Sequence, residues 1–560
     1  MAEIQQIRRK QPIETSVCSP SGEPTKRPAH AFLYLSWLAV AGLLLARIPL
    51  ILHRCFDPDE FEHSHAAWCV SRGMIPYKDF FEHHTPWYYY AVRPFFHLFD
   101  VTTSVESARR FLLLGRGLSL VLTALSIFLV LQVGRLWEYR KVGLLAGLLL
   151  LSQPVFLDKT LEVRPDVLAL PLFIGSLWML LRGLARSARS TRKGLSYFLG
   201  GGLGLGAAIM CTQKMLFVLP GVLVGLAVWS LAGVTAGESR PGSHRETRVG
   251  AGSRLLLMLV FLIGCCVPAA STWAAFSLQG AGREFITNNL LLNLKWKHIE
   301  THQLHRFIET SWPILALCLL GVAMALLRFV RLRERRYDGL LLLSTLAGLF
   351  AGLLVIPSAQ GQYYLGPLPL VCLFAAQGLL FLVERARRRV RPVLLVLALF
   401  PLAILPAFAL RESFSLRNDG QLARLRFVFE NTGPKDVVMD GWQGMGVFRP
   451  HAFHYFFLHP ETVAMLPRPH LDAYLDALES GAIRPKLIAM DWNLAALGPR
   501  FQKFVTRNYV SNDGLFYFLR GTWQAQGTRG GPAGAEGDPS LGSGFWQHRQ
   551  GGLLRAVRGF

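Results

Sequence analysis

The chain has 560 residues, 52% of them hydrophobic and 17% charged, and its apolar residues come in long blocks. That is a membrane-protein composition, and it excludes dividing the length into ordinary soluble domains. The net charge of +23 would suit nucleic acid, but the Lys and Arg fall in short clusters between apolar runs. Positive-inside topology accounts for that pattern, so the expected surface partner is a lipid bilayer and not nucleic acid.

Residues 1–30 are polar and Pro-containing and carry Arg8, Arg9, Lys10, Lys26 and Arg27. They lack the short apolar core and cleavage site of a signal peptide, so a disordered cytoplasmic tail is expected. The first span is predicted over 31–52, about the 20 residues a helix needs to cross a bilayer. It ends on Asp57-Pro58-Asp59-Glu60, three carboxylates in four residues that must lie outside hydrocarbon. The loop 53–110 is therefore expected outside the cytoplasm. Further spans are predicted over 111–134, 142–157, 166–182, 195–211, 215–236, 255–277, 312–328, 338–356, 365–383 and 393–410, eleven in all.

Basic clusters alternate with these spans, including Arg182, Arg186, Arg192 and Lys193, then Arg328, Arg331 and Arg333, then Arg385 and Arg387. They put the N-terminus inside and the C-terminus outside. After 410 the pattern changes to strand-like runs at 437–439, 486–490 and 515–519 and a helical pattern at 469–480. A small extracytoplasmic α/β domain over 411–520 follows, with a flexible Gly-rich tail over 521–560. The expected fold is thus an α-helical polytopic membrane protein with a small C-terminal α/β domain. Cys211, Cys265, Cys266, Cys318 and Cys372 fall in apolar runs and read as small core residues. Cys55 and Cys69 flank the acidic stretch and would pair if that loop faces an oxidising compartment.

The outer span ends collect Asp57, Asp59, Glu60, His83, His84, Arg109, Arg110, Asp158, Glu162, Arg164, Asp166, Lys214, Gln362 and Tyr363. Several of these suit headgroups, but acids and bases gathered on one side of a helical bundle suggest a reaction cavity at the membrane surface. His63 and His65 read as hydrogen-bonding residues ahead of metal ligands, and Trp87-Tyr88-Tyr89-Tyr90 as an interfacial aromatic run ahead of a sugar platform.

Four motifs carry a resemblance: Asp59-Glu60; the run from Gly73 through Pro76-Tyr77, Asp79-Phe80-Phe81 and His83 to Pro86; Arg164-Pro165-Asp166; and Tyr363-Tyr364-Leu365 with Pro367. Together with an Arg opening span two, they resemble the bacterial branch of the protein O-mannosyltransferase and aminoarabinose-transferase superfamily, membrane glycosyltransferases of the GT-C type. The resemblance is specific in the first loop and carried mainly by hydropathy after about residue 230. It implies a multi-pass protein of the bacterial cytoplasmic membrane that uses a polyprenyl-phosphate sugar donor. The acceptor is a lipid, glycan or protein hydroxyl, and transfer proceeds with inversion. By position, it implies Asp59 as general base with Glu60 shaping the site. Lys214, Arg109 or Arg110, and His84 are implied at the donor phosphate, and Asp57, Arg164, Asp166 and Tyr363 at the substrates. No cofactor is fixed; a divalent cation is compatible with Asp57, Asp59, Glu60, His63 and His65. A transporter or flippase of lipid-linked saccharides is the alternative. It predicts paired internal repeats with broken spans, and the sequence has no such symmetry.

Overall fold

The computed structural model describes residues 27–187, 190–235, 250–295, 302–331, 337–356, 359–387 and 389–521. The predicted N-terminal tail and the Gly-rich tail fall largely outside these residues. Among the described residues, nine helices are long and apolar enough to cross a membrane. The chain is a largely α-helical polytopic membrane protein with a small strand-containing C-terminal region.

The first span is built from α1 (Arg27–Leu45) and α2 (Ile48–His53), and α3 (Pro58–Ser71) and α4 (Trp87–Val92) follow in the loop. Then come α5 (Val105–Trp137), α6 (Arg140–Leu151), α7 (Pro154–Lys159), α8 (Pro165–Ser187), α9 (Thr191–Cys211), α10 (Val218–Thr235), α11 (Ala251–Leu278) and α12 (Gly282–Ile286). The last of the nine spans are α13 (His302–Arg331), α14 (Tyr337–Val355) and α15 (Leu368–Arg385). The predicted span 393–410 falls on α16 (Arg391–Ser415), which is not among the nine, and α17 (Asp419–Asn431) opens the C-terminal region.

The predicted span 142–157 falls on two helices. Gln153 precedes Pro154 and is extended, with φ −76° and ψ 124°, because a residue before proline is pushed out of the helical region. The break turns α7 away from α6 and sets Asp158 and Lys159 at its end. Elsewhere small residues let the spans approach closely. A Cβ on Gly202 of α9 would lie 2.1 Å from the Phe261 carbonyl oxygen of α11, and one on Gly206 would lie 2.4 Å from that of Cys265. Without a hydrophobic force between helices in lipid, such backbone contact is what packs them.

The C-terminal sheet has the order β1-β2-β4-β3, with β1 (Val438–Asp440), β2 (Leu487–Ala489), β3 (Tyr509–Val510) and β4 (Phe516–Leu519). β1 and β2 are parallel, with Val438 opposite Leu487. β4 runs antiparallel to both neighbours, with Tyr517 opposite Ile488 and Leu519 opposite Tyr509. Helices Arg468–Glu479 and Pro499–Asn508 bury Tyr474, Leu475, Phe501 and Phe504 against Ile488.

This region clamps the first loop. The Gln421 side chain accepts from Phe56 N at 2.7 Å and donates to Phe56 O at 2.9 Å, and Phe81 N donates to His454 O at 2.8 Å. Gly444 sits at φ +80°, where a Cβ would strike the Phe61 ring at 2.2 Å, so glycine there lets α3 and the C-terminal region touch.

Candidate active site

The site is built from the first turn of α3 outward. Pro58 occupies the first helical position, Asp57 Oδ1 accepts from Asp59 N at 3.1 Å, and Asp57 N donates to Glu60 Oε1 at 2.9 Å. This capping box sets the direction of each carboxylate. Glu60 points inward and is fully buried. It receives Arg116 Nε at 2.9 Å and Nη2 at 2.6 Å, and Val163 N at 3.1 Å. Arg116 places its other N–H groups on the carbonyls of Ile51, Arg54 and Cys55. Glu60 is thus committed to a buried two-pronged pair that locks α3 to α5 and to the end of the first span.

Asp57 and Asp59 point the other way, into a net of charges on the loop 158–166. Asp57 Oδ2 lies 3.1 Å from Lys159 Nζ, which lies 2.8 Å from Glu162 Oε1. Asp59 Oδ2 lies 2.5 Å from Arg164 Nη2. Arg164 also pairs with Glu162 and has its Nε 3.6 Å from Asp166 Oδ2. Asp166 in turn accepts from Lys214 Nζ at 3.0 and 3.3 Å. The ammonium group stands 4.3 Å from the centre of the Tyr363 ring, a cation–π contact. Within the net Glu162, Arg164 and Asp166 are buried, while the Asp59 side chain keeps 22% of its surface exposed.

Beside the net, Glu82 Oε1 accepts from the backbone N–H groups of His83 and His84 and contacts His84 Nδ1, each at 2.9 Å. Glu62, Glu82, His83 and His84 each offer a ligand atom within 4.8 Å of the others, a carboxylate–imidazole set that suits a divalent cation. Burial, helped by Asp59 and Glu82, raises the Glu62 carboxyl well above its usual range. Burial, then the nearby Lys214 charge, lowers His84 to about 3, so its ring is neutral at pH 7. A cavity of about 510 Å³ is lined by Pro86, Trp87, Tyr90, Thr272 and Phe276 among others.

The structure therefore joins Asp57, Asp59, Arg164, Asp166, Lys214 and Tyr363 through one set of contacts, with His84 alongside. Glu60 is separated from them by its enclosure. Arg109 and Arg110 are not brought in: both pair with Glu106, at 3.5 and 3.4 Å, on a partly exposed stretch of α5. The buried arginine of α5 is Arg116, two turns further on. Its signal was a lone charge inside an apolar span, which needs a partner. Lys159, Glu62 and Glu82 were also missed: Lys159 and Glu82 lie in short segments, and Glu62 lies in α3, where nearly every residue is buried and no apolar face marks it. Tyr88 and Tyr89 are loop core and not an interfacial run, with Tyr89 Oη 3.2 Å from His63 Nδ1. Cys55 and Cys69 are buried free thiols and do not form the expected pair, and Cys266 is exposed where a core position was expected.

A family model for dolichyl-phosphate-mannose-protein mannosyltransferase matches residues 83–238. A search of curated protein sequences found no match. Among solved structures, ArnT from Cupriavidus metallidurans in the apo state aligns at TM-score 0.59 and 14% identity, covering 88% of this chain and 98% of that one. The same protein bound to undecaprenyl phosphate gives TM-score 0.58 at 12% identity, with the same coverage. Archaeal oligosaccharyltransferase AglB from Archaeoglobus fulgidus, in complex with an inhibitory peptide and a dolichol-phosphate, gives 0.53 at 13% identity, covering 89% of this chain and 75% of that one. The fold is GT-C-like.

Proposed function

We propose that this chain is a membrane glycosyltransferase. It moves a sugar from a polyprenyl-phosphate donor to a hydroxyl of a lipid, glycan or protein acceptor, at the outer face of a bacterial cytoplasmic membrane. The observation that carries the reading is the chain of contacts from Asp59 through Arg164 and Asp166 to Lys214, which sets a carboxylate and a cation in one largely buried net at one end of the spans. In the proposed reaction Asp59 takes the acceptor hydroxyl proton as its oxygen attacks the anomeric carbon. The bond from that carbon to the phosphate oxygen breaks on the opposite side, which gives inversion. The pair of electrons leaves with polyprenyl phosphate, whose growing charge Lys214 meets. Arg164 and Asp166 hold these two groups in register, and Asp57 and Tyr363 line the substrate side.

Glu60 serves this reading as the anchor of α3, and Arg109 and Arg110 take no part in it. The cavity of about 510 Å³ lined by Trp87, Tyr90 and Phe276 suits an apolar prenyl chain. A divalent cation, if used, would sit on Glu62, Glu82, His83 and His84 and counter phosphate charge. The matched mannosyltransferase family and the lipid phosphates in the two complexes support this donor class. The basic clusters support an N-terminus inside and the region after residue 410 outside.

The test is purified chain in lipid with a labelled polyprenyl-phosphate sugar, alongside mass spectrometry of glycolipids and surface glycans from cells with and without the chain. Transfer of label to a hydroxyl-bearing product supports the reading. Movement of intact donor between leaflets with no new glycoconjugate would make the chain a transporter instead.

A further inference from the structure

His65 and Cys69 stand one helical turn apart on α3, so their side chains leave the same face. Facing them is His451, whose backbone bridges to Val438 of β1. His65 Nε2 lies 3.0 Å from His451 Nδ1, and Cys69 Sγ lies 3.9 Å from that same nitrogen. The three ligand atoms all fall within 4.8 Å of one another. His65 and Cys69 are 4% and 0% exposed.

Hydrogen bonding accounts poorly for this convergence. An imidazole nitrogen offers one lone pair or one proton, yet two side chains address the single Nδ1 of His451. In either tautomer His65 Nδ1 stays buried with no hydrogen-bond partner.

We propose that His65, Cys69 and His451 bind a zinc ion that fastens the C-terminal region to the first external helix. Two imidazoles and a thiolate select zinc over magnesium, calcium or manganese. Tetrahedral zinc places two nitrogen ligands about 3.3 Å apart and a nitrogen and a sulfur about 3.6 Å apart. The distances of 3.0 and 3.9 Å need shifts of only about 0.3 Å each to reach those values. A small cavity lined by Glu62, His65, Asp440 and His451 gives the ion a way in and room for a water as fourth ligand. On binding, the Cys69 thiol gives its proton to solvent and the thiolate takes the metal. The first turn of α3 carries Asp57, Asp59 and Glu60, so the ion would hold the opposite half of that helix. It is a different site from the Glu62, Glu82, His83 and His84 set.

The test is a titration of the full chain in lipid nanodiscs, stripped with chelator, with Zn²⁺ and separately with Co²⁺. The wild type is expected to hold at least one zinc per chain, one of them retained in Glu82→Gln, and to melt higher with it. Its Co²⁺ form should show a near-ultraviolet thiolate charge-transfer band. Cys69→Ser should lose that band and weaken zinc by more than the roughly 10–100-fold that loss of an outer partner costs. Glu82→Gln should keep both. A wild type that takes no zinc overturns the proposal, as does a Co²⁺ spectrum without the thiolate band. So does zinc that survives Cys69→Ser and His451→Gln but is lost in Glu82→Gln. If the ligand variants do not fold, the wild-type Co²⁺ spectrum decides alone.

Discussion

The two ends of the helical bundle treat charge differently. At the end that carries Lys/Arg clusters, Glu138 accepts from Arg328 Nη1 at 2.7 Å and from the Gln377 amide at 3.1 Å. Glu138 is nearly buried, but Arg328 there keeps 35% of its side chain exposed. At the other end, acids and bases from α3, the loop 158–166 and the turn before α10 share partners, and most are buried. Desolvation makes such a net expensive unless every member is paired. The first arrangement is what an interface supplies without special selection. The second needs helix caps, a proline break and a closely docked C-terminal region to hold it. Variants at matched positions separate the two.

The largest expected effect is at Glu60. Glu60→Ala leaves the Arg116 guanidinium buried without its carboxylate, and removing one partner of such a pair costs about 3–5 kcal/mol. Thermal unfolding in detergent should show a large drop in melting temperature and a loss of folded yield. A variant as stable as the wild type would remove the anchoring role of this pair.

Lys214→Gln should fold, because Asp166 keeps its contact with Arg164, but donor use should fall by roughly 10²-fold or more, the scale of a lost oxyanion-stabilising group. Binding of a polyprenyl-phosphate sugar and turnover, measured together, check it. Near-normal values for both would return Lys214 to a headgroup anchor.

A smaller effect is expected in the C-terminal region. Burial, then the neighbouring Asp491, pushes the Asp440 carboxyl up to about 7. Its folded pKa is above the unfolded one, so its contribution to stability is full below about pH 4 and is lost as pH rises through about 7. Asp440→Asn should therefore flatten the fall in melting temperature between those values and be the more stable form at pH 8. An unchanged pH profile would contradict this.

The smallest effect is at the opposite end of the bundle. Glu138→Gln should cost roughly 1 kcal/mol, because the Arg328 it pairs with keeps 35% of its side chain exposed and can turn to solvent, and leave transfer unchanged. A variant that abolishes transfer would erase the contrast between the two ends.

Much of this arrangement was legible in the sequence because it follows from hydropathy and local chemistry. Long apolar blocks announce spans, and the three carboxylates of Asp57-Pro58-Asp59-Glu60 announce a polar site just outside the first one. Short apolar runs announced the strands near Val438, Ile488 and Tyr517. What was hidden depends on three-dimensional partners. Glu60 and Asp59 are neighbours with the same chemistry, and only the position of Arg116 assigns one to the interior. Arg109 and Arg110 looked like phosphate ligands because they open a span, but Glu106, one helical turn away, takes them both. The pairing of His65 and Cys69 with His451 joins residues nearly 400 positions apart, a contact that no local pattern encodes.

The central claim is that Asp59 removes the acceptor proton. The direct measurement is sugar transfer by purified Asp59→Asn in lipid, with Asp57→Asn beside it and donor binding measured for both. Asp59→Asn keeps size and most hydrogen bonding but cannot take a proton at neutral pH. It should bind donor normally while transfer falls by roughly 10²–10⁴-fold, and Asp57→Asn should be much milder. A severe Asp57 defect with an active Asp59 variant would move the base to the helix cap. Full activity in both would take this carboxylate pair out of the reaction.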